Sequence, residues 1–154
     1  MVTIRPKTVV TMKLQGACTT DARTDVTAGD LTVVVDEPIE RGGSGKGLSP
    51  TQTMLAALLG CTNRIGHKVA DANGVDLKDM SIAVEAKFDR RGVNLDEEID
   101  VPFPEIKLTI AVTTDADDAA IEKVKTDLHR FCPISKVIRE AGTTIVETWT
   151  VTRP

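Results

Sequence analysis

The side chains with the widest chemical reach in this sequence are three thiols, Cys18, Cys61 and Cys132. Two imidazoles, His67 and His129, and a guanidinium, Arg41, in a glycine-rich run complete the set. A thiol attacks electrophiles as the thiolate, and one with a pKa near 8.5 is only about 3% ionised at pH 7. Lowering that value to about 6 raises the reactive fraction about 30-fold and no further, so fast thiol chemistry also needs help at the leaving group. Metal chemistry has little support: no two cysteines lie two to four residues apart, and neither histidine forms a short-spaced ligand motif. The run GGSGKG is not a phosphate loop either, because Glu40 stands where that motif needs glycine and Gly47 where it needs serine or threonine.

The thiols differ in their settings. Cys61 falls on the apolar stripe Met54, Leu58, Cys61, Ile65, Val69, and a free cysteine on such a stripe reads equally as a small core hydrophobe. Cys132 immediately precedes Pro133, a residue suited to the first position of a helix. There, backbone N–H groups and the helix dipole stabilise a thiolate, although a cysteine can also occupy a helix start without chemistry. Cys18, in a polar turn region, is read as incidental. His67 lies off the Cys61 stripe and reads as a surface or interface residue. His129 is close enough to Phe131-Cys132 to influence that thiol. Trp149 reads as a core or interface residue rather than a pocket wall.

The elements that must position these groups are legible from periodicity. The stretch GLSPTQTMLAALLGCTNRIGHKVADANG predicts one long helix over 50–74, with Ser49 as N-cap, Pro50 at the first position and Asn73-Gly74 as the stop. Its 25 residues would span roughly 37 Å. Met54 to Leu59 is apolar all round, which predicts burial on every face. Before the helix, strands are expected at 7–16, at 20–27 and, most clearly, at Leu31–Val35, forming an antiparallel meander. Residues 36–47, DEPIERGGSGKG, read as a mobile loop carrying Arg41 and Lys46. After the helix come strands at Ser81–Phe88 and Glu105–Val112, separated by a proline-broken connection. An amphipathic helix at 115–130, a short helix at 134–141 and a final strand at 143–151 follow. This order gives an α+β fold.

At 154 residues the chain fits one domain. Its 41% hydrophobic and 27% charged residues are ordinary globular values. A net charge of −4 and an aromatic set limited to three phenylalanines and Trp149 argue against a nucleic-acid or anionic-membrane partner. The N-terminus has no signal-peptide pattern and the sequence no 18-residue apolar span, so a cytoplasmic protein is expected.

Three blocks together resemble the OsmC/Ohr family, the osmotically inducible and organic-hydroperoxide-resistance proteins. They are GLSPTQTMLAALLGC ending at Cys61, the block Cys132-Pro133-Ile134-Ser135 that begins 71 positions later, and Arg41, 20 positions before Cys61. The resemblance covers nearly the whole chain. It implies antiparallel sheets wrapped around a long central helix in an intertwined homodimer. It also implies a peroxidase without cofactor or metal, in which Cys61 attacks an organic hydroperoxide, Cys132 resolves the resulting sulfenic acid as a disulfide, and a dithiol reductant, typically a lipoyl-bearing protein, reopens it. Arg41 would stabilise the departing alkoxide.

In that family a glutamate on the first turn of the long helix holds the arginine; here the corresponding positions carry Thr51 and Gln52. Both can hydrogen-bond a guanidinium, less strongly than a carboxylate, and Glu37 or Glu40 offers a charge from the loop. Two other readings therefore stand beside the peroxidase: an OsmC-like dimer that binds a small apolar ligand or senses oxidants with little turnover, and a scaffold whose cysteines are core residues.

Overall fold

The structure is a computed structural model, described for residues 8–154. Its contacts group into two compact units that divide after Met54, inside the long helix.

The N-terminal unit is a three-stranded antiparallel meander: β1 (Gln15–Cys18), β2 (Thr24–Ala28) and β3 (Leu31–Val35). The third strand lies where its run of β-branched residues predicts. The first does not: of the stretch expected at 7–16, Lys7 lies outside the described residues and 8–14 form no strand. Pairing decides this, since β1 lies where its register meets β2, with Gly16 opposite Val26. The segment read as mobile is ordered from within. Ile39–Arg41 form a 3-10 turn, and Asp36, fully buried, accepts hydrogen bonds from Ser44 N, Ser44 Oγ and Lys46 N at 3.1, 2.6 and 3.1 Å. These bonds, the Ser44 hydroxyl foremost, hold the Asp36 carboxyl down at about 2.

The long helix α1 (Pro50–Ala72) begins and ends on its sequence signals. Ser49 and Gln52 close a capping box: Gln52 N donates to Ser49 Oγ and Ser49 N to Gln52 Oε1, at 3.3 and 3.0 Å. At the other end Gly74 takes a left-handed φ of 70° and Val75 N reaches back to Ala70 O. Burial is one-sided, contrary to the apolar-all-round expectation. Leu58 is fully buried, whereas Ala57 and Gly60 are exposed. Small residues satisfy an apolar pattern without needing cover.

In the C-terminal unit, β4 (Lys78–Lys87), β5 (Glu105–Thr113) and β6 (Thr144–Thr152) form a second sheet with β5 in the centre. Between β5 and β6 run α2 (Asp118–Phe131), N-capped by Asp117, and α3 (Pro133–Glu140). The expected α+β order is present, and the antiparallel sheet pattern has one exception, because β5 and β6 pair in parallel. Two intervening helices carry the chain back to the end of the sheet from which β5 starts, the crossover that parallel pairing demands. Ile106, Leu108, Ile110 and Val112 alternate inward from β5 and meet Leu58 and Val69 of α1 and Ile121, Val124 and Leu128 of α2 in one core. Each such side chain contributes about 1.5–3 kcal/mol on burial. No helix among the described residues is long and apolar enough to cross a membrane.

Candidate active site

The C-terminal unit brings together two thiols from opposite halves of its sequence. Cys132 Sγ lies 3.0 Å from Cys61 Sγ, the S–H of Cys132 donating to the Cys61 sulfur. Both are free thiols, about an ångström beyond the bonded distance of about 2.05 Å. Cys61 is half-buried on the core-facing stripe of α1. Cys132 is only 1% exposed.

Cys132 is placed by its backbone. It serves at once as the residue that closes α2 and the N-cap of α3, with an extended conformation that Pro133 then turns into helix. Its sulfur accepts from the Ser135 amide at 3.5 Å, so the thiol occupies the place that a serine or aspartate oxygen usually takes in a cap. Burial, reinforced by the Cys61 sulfur, pushes the Cys132 thiol up to about 11, against the pull of the Ser135 and Ile134 amides.

Between α1 and α2 lies an apolar groove of about 380 Å³. Ile65, Val69 and Ala72 of α1 form one wall, Asp127 and Phe131 of α2 the other, with Lys68 at the rim. Ile65 is one helical turn beyond Cys61, so the groove continues the stripe on which the thiol sits. Two wider and more polar hollows, both lined by His129 and Arg139, lie over α2, α3 and β6.

Arg41, Thr51, Gln52 and Cys18 belong to the N-terminal unit. Arg41, with a side chain 53% exposed, donates from Nε to Glu37 Oε2 at 2.7 Å across the 3-10 turn. Thr51 and Gln52, expected to orient the arginine, bond to Ser49 instead: Gln52 through the capping box and Thr51 Oγ1 at 3.1 Å from Ser49 Oγ. Gln52 thus has a structural reason to be present. Cys18 is exposed on β1. In the C-terminal unit, His67 is half-buried on α1 and His129 is exposed in the last turn of α2. Trp149 packs against the core and donates from Nε1 to Glu147 Oε2, on its own strand, at 3.3 Å.

A family model described as OsmC-like protein matches residues 43–147. The chain belongs to the OsmC-like family. Solved structures agree on the fold across almost the whole length. An OsmC-like protein from Mycoplasma pneumoniae superposes with a TM-score of 0.78 at 14% identity, covering 93% of this chain and 98% of that one. An organic hydroperoxide resistance protein OsmC from Legionella pneumophila gives 0.62 at 20% identity, covering 95% and 99%. The organic hydroperoxide resistance protein OhrB of Bacillus subtilis gives 0.57 at 21%, covering 93% and 98%. No curated protein sequence matches significantly. Within this OsmC-like chain, Arg139 is the residue that sequence reasoning missed. It sits four positions after Ser135 and hydrogen-bonds to it, a helical spacing that the Cys-Pro-x-Ser block could have pointed to.

Proposed function

We propose that this OsmC-like protein is a thiol-dependent peroxidase that reduces organic hydroperoxides to alcohols. The observation that carries the reading is the approach of Cys132 Sγ to within 3.0 Å of Cys61 Sγ, at the start of one helix and the middle of another. Cys132, buried and holding its proton, donates to Cys61, so the nucleophile of the pair is Cys61, the more exposed sulfur. Cys61 thiolate attacks the terminal peroxide oxygen. The S–O bond forms as the O–O bond breaks, and the alkoxide leaves with the electron pair and is protonated to the alcohol. Cys132 then gives up its proton and attacks the sulfenic sulfur, water departs, and a Cys61–Cys132 disulfide results.

A dithiol reductant, of which a lipoyl-type protein is the natural candidate, reopens the disulfide and is itself oxidised to a disulfide. Arg41 stabilises the alkoxide charge with a guanidinium that cannot lose its proton, and Glu37 holds it in place of a helix glutamate. The apolar groove beyond Cys61 takes the alkyl group of the peroxide. The protein works as a homodimer, a reading supported by the exposure of Leu31 and Val33 on β3. A second reading, an oxidant sensor or apolar-ligand binder with little turnover, draws on the half-exposed setting of Arg41 and on its having one carboxylate partner among the described residues.

The test is peroxide consumption with cumene hydroperoxide, using reduced lipoamide and, separately, thioredoxin as electron donor. Thiol titration after one equivalent of peroxide should show two thiols lost per chain. Peroxide consumption by Cys61→Ser at the wild-type rate would end the enzymatic reading. Two lost thiols without turnover on either donor would favour the sensor.

A further inference from the structure

We propose that Arg139 is a positioning residue for the Cys132 sulfur: it fixes the first turn of α3 so that the Ser135 amide stays aimed at Cys132 when that sulfur leaves as a thiolate. This inference rests on the disulfide cycle described above.

Arg139 is firmly held, with a side chain only 23% exposed. Its Nε donates to Ser135 Oγ at 3.1 Å, its Nη1 to the Ile145 carbonyl at 3.1 Å and its Nη2 to Glu147 Oε1 at 3.2 Å. The other Glu147 oxygen accepts from Trp149 Nε1 at 3.3 Å. Ile145 and Glu147 both lie on β6, so the arginine clamps the N-terminal turn of α3 to the edge of the sheet. Ser135, at 4% exposure, is the residue clamped, and its amide is the one that donates to Cys132 Sγ. A five-donor planar fork suits this multiple anchoring better than a flexible ammonium.

Exposure settles which sulfur an incoming dithiol attacks. Cys132 is buried and Cys61 is not, so the reductant thiolate forms its new S–S bond with Cys61. The Cys61–Cys132 bond breaks, and Cys132 leaves with the electron pair as a thiolate, which then takes a proton. The second reductant thiol attacks the mixed disulfide, expels Cys61 and closes the oxidised dithiol. A buried sulfur is a poor leaving group because its thiolate lacks water, and a higher thiol pKa slows departure. Amide hydrogen bonding at the helix start offsets that burial, so the aim of the amide controls the rate.

The experiment uses full-length protein carrying Cys18→Ser. The Cys61–Cys132 disulfide is formed with diamide, without peroxide, and reopened with dithiothreitol while free thiols are counted against time. Arg139→Gln is expected to slow reopening about ten-fold, Ser135→Ala about three-fold, and Arg139→Lys to recover part of the loss. The rate of Cys61 oxidation by cumene hydroperoxide, measured with Cys132→Ser also present, should change less than about two-fold in Arg139→Gln, which a general loosening of the fold would not permit. Unchanged reopening in both Arg139→Gln and Ser135→Ala would overturn the assignment, as would an equal slowing of Cys61 oxidation. Because the disulfide is formed with diamide and reopened with dithiothreitol, a wild-type protein inert to peroxide would sink the peroxidase reading, while this one would still be decided by the reopening rates of Arg139→Gln and Ser135→Ala.

Discussion

The thiol pair and the arginine loop are held by opposite means. Cys61 and Cys132 are fixed by regular structure: a helix interior, a helix start and a core of branched aliphatics around them. Arg41 rides on a short 3-10 turn and is restrained by one ion pair with Glu37, four residues away. That loop draws its order from Asp36, a buried carboxylate that gathers backbone and hydroxyl donors rather than apolar contacts. Under the peroxidase cycle proposed above, the contrast corresponds to a separate task for each. Sulfur chemistry requires two atoms to meet at a fixed distance, which packing enforces. Charge stabilisation needs a cation already aimed where the alkoxide charge develops, and for Arg41 that aim depends on one half-exposed ion pair, a restraint of modest strength.

Substitutions can break this contrast or sharpen it. Removing the cation should have the largest effect: Arg41→Met is expected to lower kcat/KM for cumene hydroperoxide about a hundred-fold, in line with the loss of one charge-stabilising donor. The diamide-driven closure of the Cys61–Cys132 disulfide should not change. A matching loss in disulfide closure would mean that the loop supports the thiols themselves. Loosening the cation should matter less. Glu37→Gln is expected to lower the same kcat/KM about ten-fold, because an amide leaves Arg41 with a weaker, neutral partner. Gln52→Glu keeps the capping box intact and should shift the rate by no more than about two-fold. A large gain from Gln52→Glu would show that Glu37 does not hold the arginine during turnover.

The smallest effect concerns the thiol side alone and reads out in stability. Cys132 binds its proton more tightly folded than unfolded, so between about 9 and about 11 the folded state carries the extra proton. Stability from this group is therefore fully present below about 9 and is lost as pH rises toward 11. Thermal melts at pH 8, 9 and 10 should fall more steeply for wild type than for Cys132→Ser, and parallel slopes would contradict the burial of that thiol.

What was legible in the sequence follows the range of the interactions. The ends of α1 could be read because Ser49, Pro50 and Asn73-Gly74 act within one turn of themselves. The alternation of β4 and β5 reports a one-sided core directly. β1 could not be placed, because Val9, Val10 and Met12 offer as good a strand pattern as Gln15–Cys18 and only the register with β2 decides. The two sulfurs are 71 residues apart, and no local pattern brings them together; the family resemblance suggested the pair. Glu37 was a candidate among several charges until the 3-10 turn placed it beside Arg41. Arg139 escaped notice because its partners are split between its own helix and β6.

The knot at Asp36 also limits how this loop can be altered. Gly43 lies so close to the chain that a Cβ there would come 1.7 Å from the Glu37 carbonyl oxygen, and at Gly47 one would come 2.1 Å from that of Val34. Neither position can accept a side chain without dismantling the turn. Pro38, Ile39 and Glu40 carry no such bond to Asp36, and Ile39 is 72% exposed. A combinatorial library meant to retune substrate preference should therefore randomise 38–40 and leave 36, 43, 44 and 47 untouched, so that diversity falls beside the guanidinium rather than under it.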